Sequence, residues 1–289
     1  MVLTLGCGRF GFDTTLVLEP DAGPDAAPMP MVFTAGEPIS ELTVDGFESD
    51  DATLPGDFLE IYFASTRAGG GTGNIFRSER ATPEDAWSAP ELVPELSSSE
   101  SESTNAISEN GLWFLLGSRR DDPEQDVYLA SRPDRSSPFG TPARLTEVSS
   151  VLNDSASWVS NDGLTVLIHS SRDGDFDVYR ATRATTSELF SSPTLVEGLS
   201  SPGLEISATV YDDASLALFT YRTGTDDHDL HVAFGAPGAF SYGERRVVGG
   251  VATDAIESDG SLSKDRCRLI FSRVVGDFDQ IFEATCIAE

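Results

Sequence analysis

The 289-residue sequence predicts an all-β fold: a five-bladed β-propeller of four-stranded antiparallel blades, closed by an N-terminal strand that completes the last blade. Three observations predict it. One motif recurs five times at a nearly constant period, each period holds four strand-like runs, and the last period lacks a fourth run that is found instead ahead of the first.

The motif is carried by ASTRAGGGTGNIFR, GSRRDDPEQDVYLA, SSRDGDFDVYRA, TYRTGTDDHDLHVA and FSRVVGDFDQIFEA. Its arginines, Arg67, Arg120, Arg172, Arg222 and Arg273, are spaced 53, 52, 50 and 51 residues apart. An acidic marker precedes each, at Asp50, Glu102, Asp154, Glu205 and Glu257, spaced 52, 52, 51 and 52. An aromatic marker follows in the first four repeats, at Trp87, Phe139, Phe190 and Phe240, with a nearby proline in all but the fourth.

Within a repeat the elements read in order, and the third shows them best. SASWVS, LTVLIHSS, DVYRAT and LFSSPTLVEG alternate apolar with polar residues, and the breaks between the first three are Asn161–Asp162–Gly163 and Asp173–Gly174–Asp175. Four antiparallel strands in about 52 residues make a propeller blade. The fifth repeat stops after its third strand, and VFTAGEPISEL, with Phe33 and Pro38, supplies the missing one from the front of the chain. Closing the ring in this way removes an open sheet edge.

Ser157–Ser160 followed by Asn161–Asp162–Gly163 and a strand ending SSRDGDFDVYRA resembles the WD40-like PD40 repeat of TolB-type bacterial propellers. The resemblance spans residues 32–289 and is loosest in the first and fourth repeats. It departs in blade number, because TolB has six blades and a separate N-terminal domain. It implies the fold and an envelope location, and it carries over no TolB partner, since propellers host unrelated activities.

Residues 1–30 are read as an incomplete export signal and a disordered linker, and residues 31–289 as the propeller. Pro, Ala, Asp and Gly without periodicity fill the stretch before Met31. Leu5–Gly6–Cys7 resembles the end of a lipoprotein signal, with Cys7 the lipidated residue and the plain alternative a free thiol in a tail. Six residues ahead of Cys7 are too few for such a signal, so the true start is expected upstream. Cys267 and Cys286 flank the turn around Gly276 on adjacent strands, which predicts a disulfide and an oxidising compartment; the alternative is two buried thiols.

With 19 basic and 48 acidic residues the formal charge is −29, which excludes nucleic acid and anionic lipid as sequence-independent partners. No run of 18 apolar residues offers a spanning helix, so membrane contact is expected only through a lipid anchor, on a monomer. The acidic markers are expected to ring one mouth of the channel, with Asp121, Asp122, Asp173, Asp175, Asp226, Asp227 and Asp277 at the hairpin tips and Glu100 nearby. Two roles compete for the ring: a site for an envelope protein or a polar or cationic ligand, and internal hydrogen bonds repeated in every blade. The arginines are read as structural clamps across their hairpins, towards Asn74, Asp126, Asp177, Asp229 and, in the last blade, Gln280 beside Asp279.

Asp173, Asp175 and Asp177 have the alternate carboxylates of a calcium loop but lack its later glycine and glutamate, leaving a weak calcium candidate. His169, His228 and His231 assemble no zinc set, and no catalytic nucleophile motif is present. The expected function is therefore a non-catalytic envelope scaffold acting through an acidic face. The competing one is glycoside processing by carboxylates at the channel mouth, with Asp50, Asp154 and Glu205 as candidates.

Overall fold

A computed structural model describes residues 31–287 except Gly70 and residues 223–227. Cys7, Asp226 and Asp227 lie outside the described residues. Strand β1 (Glu37–Pro38) comes first, and four complete blades follow in chain order. The first holds β2 (Ser49–Thr53), β3 (Glu60–Ser65), β4 (Asn74–Glu79) and β5 (Glu91–Leu92). The second holds β6 (Glu102–Ile107), β7 (Trp113–Ser118), β8 (Asp126–Ser131) and β9 (Ala143–Arg144). The third holds β10 (Asp154–Val159), β11 (Thr165–Ser170), β12 (Asp177–Thr182) and β13 (Thr194–Leu195). The fourth holds β14 (Leu204–Tyr211), β15 (Leu216–Arg222), β16 (Asp229–Gly235) and β17 (Tyr242–Val247).

The fifth blade is β18 (Glu257–Leu262), β19 (Arg268–Val275) and β20 (Phe278–Thr285), with β1 as its outer strand. Glu37 pairs with Glu283 and Pro38 with Phe282, so the chain closes its own ring. Phe33, 1% exposed, bridges Cys286, and the Cys267–Cys286 disulfide ties the same end of the blade. The core is divided among the blade interfaces. Tyr62, Phe114 and Phe139 pack between the first two blades, and Phe63 and Ile61 pack with Ile270 and Ile281 between the first and last.

Every innermost strand carries a one-residue bulge. In four blades a non-glycine residue beside it is left-handed: Asp51, Thr104, Ser207 and Asp259, with φ of 53°, 51°, 54° and 55°. Such bulges re-aim side chains, and these line the channel. Asp51 Oδ2 accepts from Thr104 N–H at 2.6 Å, and Asp259 Oδ1 accepts from the Ser207 hydroxyl at 2.6 Å. The void among them is about 20 Å³, which leaves room for water and not for a sugar ring.

Candidate functional site

At the end of the ring where the innermost strands begin, four acidic markers are wholly buried: Glu102, Asp154, Glu205 and Glu257 are each 0% exposed. Each carboxylate caps the turn that leads into its strand. Glu102 accepts from Ser98 N–H at 2.8 Å, Glu205 from Ser201 N–H at 3.2 Å and Glu257 from Thr253 N–H at 3.1 Å, while Asp154 takes the Ser150 N–H. An arginine completes each: Arg120 to Glu102 at 3.1 Å, Arg172 to Asp154 at 2.6 Å and Arg273 to Glu257 at 2.7 Å. A charge removed from water needs this much pairing. These arginines thus hold the acid and the Leu96, Val148 or Val251 carbonyl ahead of it, and reach the far strand of the hairpin by stacking on Tyr128, Tyr179 or Phe282.

Two blades depart from this pattern. In the first, Ser49 faces Ser65 in the register where Glu102 faces Ser118, and Arg67 donates to both serine hydroxyls at 3.0 Å. Asp50 is one position on, opposite Ala64, and points to the other side of its strand. In the fourth blade Arg222 lies opposite Leu204, and Arg245 from the outer strand binds Glu205 instead, at 2.7 Å. The sequence held a trace of this: from Asp154 to Glu257 the acids advance 103 residues, while from Arg172 to Arg273 the arginines advance 101.

Asp50 instead joins Asp51, Asp259, Asp279 and Glu48 between the last and first blades. Burial first, and the neighbouring carboxylates second, hold Asp50 and Asp51 well above the usual range and push Asp279 up to about 6. No group of three or more His, Cys, Asp or Glu among the described residues is arranged to hold a metal ion. The calcium candidate is a case in point: Asp173 accepts from the Tyr179 hydroxyl at 2.7 Å, and Asp177 is a strand residue paired with Ser170. His169 is buried and neutral, its pKa pushed by burial to about 3, with Nδ1 taking the Ser207 N–H at 3.3 Å.

The opposite mouth holds a larger cavity, about 470 Å³, among the hairpins that join each blade's first two strands. It is within the size range of small-molecule sites. Its asymmetry comes from Trp158, which stands on the third innermost strand where the other blades have Thr53, Ala106, Thr209 and Ser261. Phe240 lies beside it, ring centroids 6.1 Å apart.

The position of Phe240 follows from a substitution in the repeat. In the first three blades the aromatic marker is buried under an arginine: Arg80 over Trp87 at 4.1 Å, Arg132 over Phe139 at 4.5 Å and Arg183 over Phe190 at 4.4 Å. Gly235 replaces that arginine in the fourth blade, where a Cβ would meet the Ser241 carbonyl at 2.1 Å. Phe240 is freed towards the mouth, left-handed at φ 48°, and Arg180 of the third blade covers it at 4.1 Å. The aromatic markers recur visibly in the sequence, whereas the absence of the arginine at Gly235, which decides where Phe240 goes, shows only when the repeats are aligned.

The rim carries both signs of charge. Arg266 pairs with Asp212 across neighbouring hairpins, while Lys264, the sole lysine of the chain, is exposed and has no ion pair among the described residues. Asp212, Asp213 and Ala214 are consecutive left-handed residues with φ of 50°, 55° and 60°, where the second and third blades use Gly111 and Gly163.

No family model matches the sequence, and no curated protein does either. Solved structures match the fold. TolB from Acinetobacter baumannii is 14% identical with a TM-score of 0.51 over 83% of this chain, which spans 54% of that TolB. The catalytic domain of a Coprinopsis cinerea GH62 α-L-arabinofuranosidase is 13% identical, with a TM-score of 0.62 over 90% of this chain and 98% of that one. The α-L-arabinofuranosidase PaAbf62A from Podospora anserina, solved with cellotriose, is 14% identical with a TM-score of 0.61 over the same shares. Likeness at this identity speaks for the propeller alone and is shared by scaffolds and glycosidases.

Proposed function

We propose that this protein is a non-catalytic binding propeller of an oxidising, exported compartment, tethered through Cys7 and the linker after it. The observation that carries this reading is the fate of the repeated carboxylates. Glu102, Asp154, Glu205 and Glu257 are each spent on a turn N–H and an arginine of their own blade, so Asp154 and Glu205 are unavailable as acid, base or nucleophile. Asp51 and Asp259 are bonded inside a channel too narrow to bracket a glycosidic bond. The disulfide supports the compartment, because such bonds persist where thiols are oxidised.

A glycosidase reading draws on the full-length likeness to arabinofuranosidases and on the raised carboxylates Asp50 and Asp279. One assay separates the two. Purified protein incubated with chromogenic arabinofuranosides and xylosides is expected to release no product above buffer. Turnover that disappears in Asp50→Asn would overturn the binding reading. Capture from envelope extracts by the wild type, and its loss on changing the exposed tips Asp175 and Asp277 to Asn, would place a partner at the acidic end.

A further inference from the structure

We infer, resting on the binding reading above, that the cavity around Trp158 takes a small organic cation, a quaternary or alkylated ammonium ion with an apolar substituent. The first ground is the chain's own treatment of tryptophan. Trp87 lies under Arg80 at 4.1 Å and Trp113 under Arg183 at 5.5 Å, but among the described residues no cation covers Trp158. The electron-rich face of an indole attracts a cation better than any other side-chain ring does. Phe240 is already covered on one side by Arg180, whereas Trp158 beside it lines the cavity with no cation over its ring among the described residues.

The second ground is charge. Among the lining residues Glu109, Asp212 and Asp213 stand against Lys264 and Arg266, so with Asp212 and Arg266 paired the lining has one carboxylate in excess, while Arg180 stands behind Phe240. Around this lies a molecule of formal charge −29, whose field gathers cations and repels anions. Third, the walls are mixed: Leu54, Val159, Leu262 and Tyr211 supply hydrocarbon beside hydroxyl and amide groups, and the Tyr211 hydroxyl oxygen accepts from Leu262 N–H at 2.9 Å. A hydrated metal ion gains little from such walls, whereas an alkylammonium ion, weakly hydrated and apolar at its surface, gains both contact and charge.

Calorimetric titration of the full chain with choline chloride, at constant ionic strength, tests the assignment against the neutral isostere 3,3-dimethylbutan-1-ol. Saturable choline binding is expected, with the alcohol at least about tenfold weaker. Trp158→Leu should weaken choline about tenfold in a protein that still melts cooperatively, Trp158→Phe should retain most of the affinity, and Lys264→Ala should leave it unchanged or tighten it. Equal binding of the alcohol, no saturable choline binding, or full affinity in a folded Trp158→Leu protein would overturn the inference. None of these outcomes touches the non-catalytic reading, which fails only on glycoside turnover.

Discussion

Arg245 donates to Glu205 at 2.7 Å from the outermost strand of its blade, whereas Glu102, Asp154 and Glu257 take their arginine from the end of the second strand or the hairpin just after it. The fourth blade has therefore kept the buried acid and changed the cation that neutralises it. Tyr221 stands opposite Glu205, and the Arg245 guanidinium lies 4.1 Å from its ring. Arg245→Met should destabilise the protein by about 3 kcal/mol, because it leaves a buried carboxylate with no cation. Arg222→Met should cost less than about 1 kcal/mol. Urea denaturation of both variants measures the difference, and equal losses would mean that Arg245 is not the neutralising group.

Ring closure depends on Gly250, at φ 86°, where a Cβ would stand 1.8 Å from the Phe33 carbonyl oxygen. Gly250→Ala should therefore push the N-terminal segment off the last blade and cost about 3 kcal/mol or more. Gly276 has a similar φ, 66°, with nothing near its Cβ. Gly276→Ala should cost about 1 kcal/mol, the strain of a left-handed alanine alone. Thermal melts of the two variants compare a steric clash with a purely local conformational cost.

The Cys267–Cys286 bond, across 19 residues, should contribute about 3 kcal/mol on the chain-entropy account. The Cys267→Ser, Cys286→Ser double variant is expected to unfold at lower denaturant by that amount. Reductant should lower the wild-type midpoint to meet it and leave the variant unmoved. A reductant-insensitive wild type would show that the bond is not formed.

Asp279 makes the stability pH-dependent. Its folded pKa is raised to about 6 by burial and by Asp259 and Glu48, while an unfolded aspartate titrates near ~3.9. A proton held more tightly in the folded state stabilises fully below the unfolded pKa, and that contribution is lost as pH rises through the folded one. Asp279→Asn should thus stabilise the protein at pH 8, by about 1 kcal/mol once solvent screening is allowed for, with the gain shrinking towards pH 4. His169 acts in the opposite sense, its burial costing stability as pH falls below its unfolded pKa near ~6.5. The difference between wild-type and Asp279→Asn melts across this range isolates the aspartate. A gain independent of pH would show that Asp279 is not the group responsible.

The sequence by itself determined the number of blades, their order, the closing strand and the cysteine pair. Each of these is a matter of period and alternation along the chain, and a strand whose inward residues recur every second position has little choice of face. What it did not determine was the side on which each marker falls. Asp50 and Arg222 keep the spacing of the repeat to within two residues, yet a shift of one residue turns a side chain to the opposite face of a strand, so both leave the buried clamp. The cavity was legible only in part. The loss of an arginine at Gly235 and the appearance of Trp158 where other blades have small residues can be read from aligned repeats, but 240 and 158 belong to different blades. Only the packing of the fourth blade against the third brings those two rings to 6.1 Å, because contacts between blades are set across an interface and not by any period within the chain.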